Sequence, residues 1–171
     1  ITTDIKQTHM TITLITCTYN AESVLQKTLN SIIKQDYNDI EHIIIDGKSK
    51  DNTLKIAEQY KATSNIQRTG HKITIISEPD KALYDAMNKG LRLATGDYVC
   101  FLNAGDKLHS ADTLEKIVDK LTRQDNCAVC SSSTEYPGVL YGHTDIVDND
   151  GRYIGPRRLT PPEQLTWRSI K

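Results

Sequence analysis

Four short apolar runs rich in β-branched residues alternate with four stretches of helical periodicity, and this alternation leaves few folds open. The first run lies in Thr11–Thr18 and carries Ile12, Leu14 and Ile15. After it Ser23 and Gln26 form a capping-box pattern, and Leu25, Leu29, Ile32 and Ile33 recur at helical spacing. Ile43–Ile45 is a second run, apolar without alternation, so both of its faces are expected to be covered. Asp51 can cap the helix that follows, carried by Leu54, Ile56 and Ala57. Residues 61–72 read as a polar connection, and Ile73–Ile76 as a third strand. Leu83, Met87, Leu91 and Ala94 mark the next helix face, with Gly96 as its C-terminal stop. Tyr98–Leu102 is a fourth strand, and Ser110 precedes a helix with the stripe Leu114, Ile117, Val118 and Leu121. The expectation is an α/β, Rossmann-like fold: a mainly parallel sheet with helices on both faces.

The pattern changes toward the end. Beyond about residue 126 the alternation fades, although Ala128–Cys130 could be a strand. Leu140–Thr144 and Tyr153–Ile154 flank Asp148-Asn149-Asp150-Gly151, a good hairpin turn. The organisation expected is a polar arm over residues 1–10, a ligand-binding region over 11–125, and a further region over 126–171 that starts a second part of the site. The chain begins at Ile1 rather than Met and stops soon after Trp167 and Ile170, so it reads as a fragment.

With 171 residues, 37% of them hydrophobic and 25% charged, the chain has the composition of one soluble domain. The net charge of -1 speaks against broad electrostatic binding to nucleic acid. No apolar run reaches the ~18 residues of a membrane span. Cys17, Cys100, Cys127 and Cys130 fall mostly in apolar runs, the usage of reduced thiols in a cytoplasmic protein.

In an open parallel sheet, ligands bind outside the carboxyl ends of the strands. Each of the four strands here runs into a loop with chemistry in it. These are Thr18-Tyr19-Asn20, Asp46-Gly47-Lys48-Ser49-Lys50-Asp51, Ser77-Glu78-Pro79-Asp80-Lys81, and Asn103-Ala104-Gly105-Asp106. The clustered charge is acidic: Asp46, Asp51, Glu78, Asp80 and Asp106. Carboxylates bind sugar hydroxyls, base N–H groups, or a hard divalent cation that in turn holds a diphosphate.

Other motifs fail. Gly47-Lys48-Ser49 resembles the end of a phosphate-binding P-loop, but the upstream glycine position is His42. No Gly-x-Gly-x-x-Gly follows any strand. Cys127-Ala128-Val129-Cys130 has no second ligand pair, and buried thiols are the simpler reading.

These segments resemble family 2 glycosyltransferases. Ile12–Asn20 is similar to their first strand and loop, and Ile43–Thr53 to their second strand with its Asp-Gly-Ser-x-Asp turn. The stretch from Ser77-Glu78-Pro79-Asp80-Lys81 through Tyr84-Asp85-Ala86-Met87-Asn88-Lys89-Gly90 closely resembles the branch that builds bacterial capsule and exopolysaccharide. Thr95-Gly96-Asp97-Tyr98 leading to Asn103-Ala104-Gly105-Asp106 resembles the strand that ends in the family's DxD-like metal motif. The likeness spans roughly residues 11–121.

The resemblance implies a GT-A fold, a nucleotide-sugar donor with UDP as the expected carrier, a divalent metal (Mg or Mn), and inversion at the anomeric carbon. It further implies a glycan or lipid-linked acceptor and a cytoplasmic setting, with the inner face of the membrane as one option. By position, Thr18, Tyr19, Asn20 and Glu22 would line the nucleotide pocket. Asp46 would face the base with Asp51 near it; Asp80, Lys81 and Asn88 would border the donor; Asp106 would hold the metal. The chain departs from the family where Asn103 and Gly105 replace acidic residues of the metal motif, and where Lys48 and Lys50 replace small residues. An inverting transfer also needs a carboxylate base. The late acids Asp145, Asp148, Asp150 and Glu163 are the only ones at hand, the first three fit a surface turn better, and the base is expected beyond Lys171. Two other readings compete: a non-catalytic sugar-nucleotide-binding module, and a nucleotidyltransferase, which usually shows a Gly-rich basic loop that Tyr19-Asn20-Ala21-Glu22 does not offer.

Overall fold

The computed structural model describes residues 10–67, 70–122, 144–148 and 150–156. The chain divides into two compact units, Ile1–Thr122 and Arg123–Lys171. In the first, strands β1 (Ile12–Thr18), β2 (Ile40–Asp46), β3 (Lys72–Ser77) and β4 (Tyr98–Phe101) alternate with helices α1 (Leu25–Ile33), α2 (Thr53–Gln67), α3 (Leu83–Leu93) and α4 (Thr113–Thr122). The strands form one sheet in the order β3-β2-β1-β4, every pair parallel. In the second unit β5 (Asp145–Val147) pairs antiparallel with β6 (Tyr153–Pro156).

Period-two patterning sends alternate residues of one strand to different helices. From β1, Ile12 and Leu14 pack with Ile32 of α1 and with Leu114 and Leu121 of α4. Ile15 and Cys17 turn the other way, with Ile43, Ile45 and Ala86 of α3. Ile44 joins Leu25, Leu29, Ala57 and Tyr60 under α1 and α2. All seven residues of β1 and of β2 are buried, as a centre covered on both faces requires.

Burial also takes in polar groups that the strand pattern does not announce. Glu41 accepts hydrogen bonds from the Thr13 hydroxyl (2.8 Å), the Thr95 amide and hydroxyl (2.7 Å each), and Lys72 Nζ (2.7 Å). Burial by itself would raise its carboxyl pKa, but these donors outweigh it and hold the group down to about 2. On the opposite face His42 lies between the Thr16 hydroxyl (2.9 Å) and the Tyr60 hydroxyl (3.1 Å). Burial lowers its pKa to about 3, so it is a neutral core residue.

Several local expectations change. Ser23 and Gln26 form no capping box: α1 starts at Leu25 with no side-chain cap, its first turn is made on the Ala21 carbonyl, and Gln26 bonds Asn30 instead. Residues 61–67, read as connection, continue α2. Strand β2 begins three residues before Ile43, because Ile40, Glu41 and His42 find partners inside the fold. Ser110 does not cap α4 directly; its hydroxyl bonds Asp112, which precedes the helix. Gly96 serves close approach rather than a left-handed stop. A Cβ there would lie 2.6 Å from Thr13 Oγ1 and 2.7 Å from the Thr11 carbonyl. Met10, placed in the polar arm, is 2% exposed in the core, because Tyr37 hydrogen-bonds its carbonyl and Ile12 and Leu14 surround it. The hairpin forms, with Asp145–Val147 as the described strand before its turn; residues 140–143 of the expected Leu140–Thr144 strand lie outside the described residues, as do Ala128–Cys130 and Glu163.

Candidate active site

The strand order reverses direction at β1: the chain moves outward through β2 and β3, then returns to place β4 on the other side of β1. The carboxyl ends of β1 and β4 therefore flank the crevice that such a switch opens. Two polar atoms sealed at these ends have no partner among the described residues, Thr18 Oγ1 and Asn103 Oδ1. A buried orphan costs roughly 1–3 kcal/mol, so it calls for a ligand or ordered water.

The four loops are built in different ways. The β1–α1 and β2–α2 loops are laced together. The Asn20 amide donates to Ser49 Oγ (2.9 Å), and Asn20 Oδ1 accepts from the Lys50 amide (2.9 Å). The Ala21 amide donates to Thr53 Oγ1 (2.7 Å) and the Glu22 amide to Asp51 Oδ2 (3.2 Å), while Glu22 Oε2 accepts from the Asn52 amide (2.8 Å). Asp51 also accepts from the Thr53 amide at 3.0 Å, as a cap for α2 does. Desolvation pushes its carboxyl upward, yet the bonds from Thr53 and Glu22 prevail and lower it. The lacing needs two left-handed residues, Asn20 (φ 46°) and Lys48 (φ 60°). For lysine that conformation costs roughly 1 kcal/mol.

Asp46 ends β2 and is fully buried. Its oxygens accept from the Ser49 hydroxyl, the Ser49 amide (3.1 Å) and Ser77 Oγ (2.6 Å), which ties the second loop to the third strand. The side chain is thus enclosed by protein donors. The next residue, Gly47, donates its amide to the Thr18 carbonyl at 2.9 Å, and its missing side chain leaves room for two neighbours. A Cβ at Gly47 would lie 2.6 Å from Asp80 Oδ2 and 3.3 Å from Tyr19 Cδ2.

The third loop hangs on Lys89, whose ammonium donates to the Pro79 carbonyl (2.7 Å) and pairs with Glu78 (3.0 Å). In the fourth, the Asp106 amide bonds the Asn103 carbonyl (3.0 Å), and Gly105 takes φ 102°, open only to glycine at low cost. Gly105 is held by Thr28 Oγ1 of α1 at 2.9 Å, and the Ala104 amide reaches the Cys17 carbonyl of β1 at 3.4 Å.

The expected residues therefore sort by what their side chains do. Asn20, Glu22, Asp46 and Asp51 are spent on the loops themselves. Thr18, Tyr19 and Asp80 gather around Gly47, with Tyr19 60% exposed and the Asp80 carboxylate accepting no hydrogen bond among the described residues. Asp106 is exposed, and its carboxylate likewise accepts none. Lys81 and Asn88 are exposed; Asn88 lies on the side of α3 opposite the buried Ala86 and Gly90 and is not drawn into this group. Sequence reasoning missed the braces Ser49, Ser77, Thr53 and Lys89, since serine, threonine and lysine near a loop carry no signal of their partners. A groove between α1 and α2, lined by Gln26, Asn30, Lys34, Gln59 and Tyr60 among others, shares no residue with the four loops.

At the end of β4 the exposed Asp106 offers a carboxylate, a hard oxygen ligand, while Asn103 Oδ1 is sealed and without a partner among the described residues. No group of three or more His, Cys, Asp or Glu that could hold a metal occurs among the described residues. An ion held by Asp106 would have to keep waters or take a ligand's phosphates, rather than sit in an all-protein cage.

An open parallel sheet with helices on both faces and acidic and orphaned polar groups around its switch point defines an α/β protein of the Rossmann-like class. Comparison with known proteins narrows the class. Residues 13–166 match the model of glycosyl transferase family 2, and the chain belongs to that family. It is 33% identical over 144 residues to the amylovoran biosynthesis glycosyltransferase AmsB of Erwinia amylovora, covering 84% of this chain and 44% of that protein. It is 39% identical over 104 residues to a PGL/p-HBAD biosynthesis glycosyltransferase of Mycobacterium bovis, covering 61% of this chain and 39% of the relative. The chain thus spans less than half the length of these relatives. Among solved structures it resembles the mannosyltransferase PcManGT of Pyrobaculum calidifontis, solved with GDP-Man and Mn2+ (TM-score 0.61, 26% identity, 69% of this chain and 34% of that one). It also resembles Staphylococcus aureus TarS in complex with UDP-GlcNAc (TM-score 0.55, 28% identity, 64% of this chain and 30% of that one). The fold expectation holds: these neighbours are glycosyltransferases, and the sheet is parallel with helices on both faces. No helix among the described residues is long and apolar enough to cross a membrane.

Proposed function

We propose that the protein transfers a sugar from a nucleoside diphosphate donor, with UDP as the expected carrier, to a growing glycan or lipid-linked acceptor in bacterial polysaccharide assembly. The observation that carries this reading is the carboxyl edge of the sheet, where, among the described residues, the Asp80 and Asp106 carboxylates accept no hydrogen bond and Thr18 Oγ1 and Asn103 Oδ1 have no partner, beside the exposed Tyr19 ring. Membership of family 2 supplies the reaction class, and polysaccharide relatives such as AmsB supply the context.

In this reading Tyr19 offers a ring face to the base, and Thr18 Oγ1 meets a polar atom of the nucleotide. Asp106 would hold Mg2+ or Mn2+. When bound, the cation neutralises charge on the departing diphosphate. Inverting transfer forms a bond from the acceptor oxygen to the anomeric carbon, breaks the bond to phosphate, and sends the acceptor's proton to a base. The loop carboxylates serve scaffolding or donor binding, so the base lies outside the four loops. Asp148 is a poor candidate, because its Oδ1 accepts from the Asp150 and Arg152 amides within the hairpin turn.

The test is a panel of nucleoside diphosphates with and without Mn2+, read by thermal shift and calorimetry. Ligand at ~100 times its Kd stabilises by about 2.7 kcal/mol, a readable rise in melting temperature. A flat response to every nucleoside diphosphate, metal present, would overturn the proposal. The single acidic residue of the metal motif, Asp106, favours one alternative, a binding module without turnover. Donor binding without hydrolysis or transfer in a chain spanning the relatives' length would select it.

A further inference from the structure

We propose that Asp80, rather than the strand-end Asp46, reads the nucleobase, accepting a ring N–H from a base that presents one on its pairing edge, uracil or guanine. The proposal rests on the nucleotide-donor reading above and assigns its base specificity.

The geometry starts at Gly47. In this proposal the base sits against the joint between the end of β1 and the start of the β2–α2 loop, where the Gly47 amide donates to the Thr18 carbonyl. At this joint the second loop contributes no side chain. The volume that one would occupy is filled from the third loop: Asp80 Oδ2 lies 2.6 Å from the ideal Cβ position of Gly47, and the Tyr19 ring lies 3.3 Å from the same point. Asp80 thus delivers a carboxylate to the place where a side chain on residue 47 would begin, beside an exposed aromatic ring. Asp46 cannot do so, being fully buried and bound by Ser49 and Ser77.

Three further observations point the same way. Asp80 accepts no hydrogen bond among the described residues, while Asp46 and Asp51 both do. The loop carrying it is tethered on the residue before, by Lys89 to the Pro79 carbonyl at 2.7 Å, which holds the backbone from which the carboxylate reaches. And Thr18, 6% exposed at the same joint, has an unpartnered hydroxyl.

An ionised carboxylate only accepts hydrogen bonds. Guanine offers it N1–H and N2–H together, and uracil offers N3–H. Cytosine and adenine place a bare ring nitrogen at the centre of that edge, which repels a carboxylate. Asp80 therefore selects UDP and GDP against CDP and ADP, and the affinities of wild type for UDP and GDP show which of the two is used.

The test is calorimetric titration of the four nucleoside diphosphates into wild type, Asp80→Asn, Asp46→Asn and Gly47→Ala, with ribose 5-phosphate as a ligand lacking a base. Asp80→Asn should weaken the preferred nucleotide by about tenfold or more, the scale of one charged hydrogen bond. Ribose 5-phosphate should change by less than twofold, and CDP and ADP, relieved of the repulsion, should bind no more weakly than before. Gly47→Ala, which keeps the carboxylate but sets a methyl against it, should weaken the same nucleotide in the same selective way, and the two changes should be less than additive. Gly47 has no left-handed φ, so alanine fits its backbone, and this variant carries the test if Asp80→Asn does not fold. Unchanged base preference in both folded variants would overturn the proposal, as would selective loss in Asp46→Asn alone. A wild type that binds no nucleoside diphosphate removes the donor reading itself, a result distinct from binding whose preference ignores Asp80.

Discussion

Glu41 offers the strictest test of how this domain is held together. Its carboxylate, 2% exposed as a residue, clamps the turn between α3 and β4 onto the middle of the sheet through Thr95 and Thr13, and pairs with Lys72 at the surface. Lys72 is 65% exposed, so its ion pair is screened and contributes little. The weight falls on the three bonds from Thr13 and Thr95. Replacement by glutamine removes the charge and turns an NH2 group against one of those donors. Holding the carboxyl at about 2 rather than 4.5 corresponds to about 3 kcal/mol, of which the bond from the exposed Lys72 is the largest lowering cause and is discounted for screening. Glu41→Gln should therefore cost about 1–3 kcal/mol near pH 7, a large part of an ordinary domain's stability. The sign with pH follows from a depressed folded pKa: the stabilisation is complete above the unfolded value near 4.5 and is lost as pH falls toward about 2. Urea unfolding of wild type and variant at pH 7, 5 and 3 measures the gap. It should stay level from 7 to 5 and narrow at 3. A gap below 1 kcal/mol at pH 7, or one independent of pH, would refute the reasoning.

Three further outcomes are expected. Gly90→Ala places a Cβ 2.5 Å from Ile15 Cγ2, so overpacking of about 1–3 kcal/mol should outweigh the roughly 1 kcal/mol of helix propensity gained; a variant with a higher melting temperature would contradict this close approach. Asp106→Ala should abolish the Mn2+ dependence of nucleotide binding while leaving a metal-independent component, read by titration in chelator and in Mn2+; a surviving metal effect would place the cation elsewhere. Lys89→Met should free the Pro79 carbonyl and weaken nucleotide binding severalfold with little change in melting temperature, and Lys89→Arg should recover part of it; binding unchanged in both would deny the tether a role.

The strands and helices of the first unit were legible in the sequence because the pattern of burial is written in residue type. Ile43–Ile45 has no polar position, and in the structure it is the middle of a strand covered on both faces. The ends were less legible. Glu41 and His42 look like loop residues, yet they belong to β2, since their partners arrive from β1, α2 and the α3–β4 turn, up to 54 residues away. Helix α2 runs on to Gln67 through a stretch without clear amphipathic spacing, so its polar residues read as connection. Ser23 and Gln26 have the spacing of a capping box, but the Ala21 carbonyl had already closed the first turn.

For the candidate site, the sequence alone determined which loops would gather at one edge of the sheet. Parallel strand–helix alternation sends every strand's carboxyl end to one edge, and the unusual residues follow those ends. What only the tertiary structure decided is which of the carboxylates are available. Asp46, Asp51, Asp80 and Asp106 are equivalent as letters. Folding brings Ser49 and Ser77 to the first and Thr53 to the second, and leaves the other two without a hydrogen-bond donor among the described residues. A carboxylate's availability depends on what lies within about 3 Å of its oxygens, and those neighbours come from separate loops whose meeting no local pattern encodes.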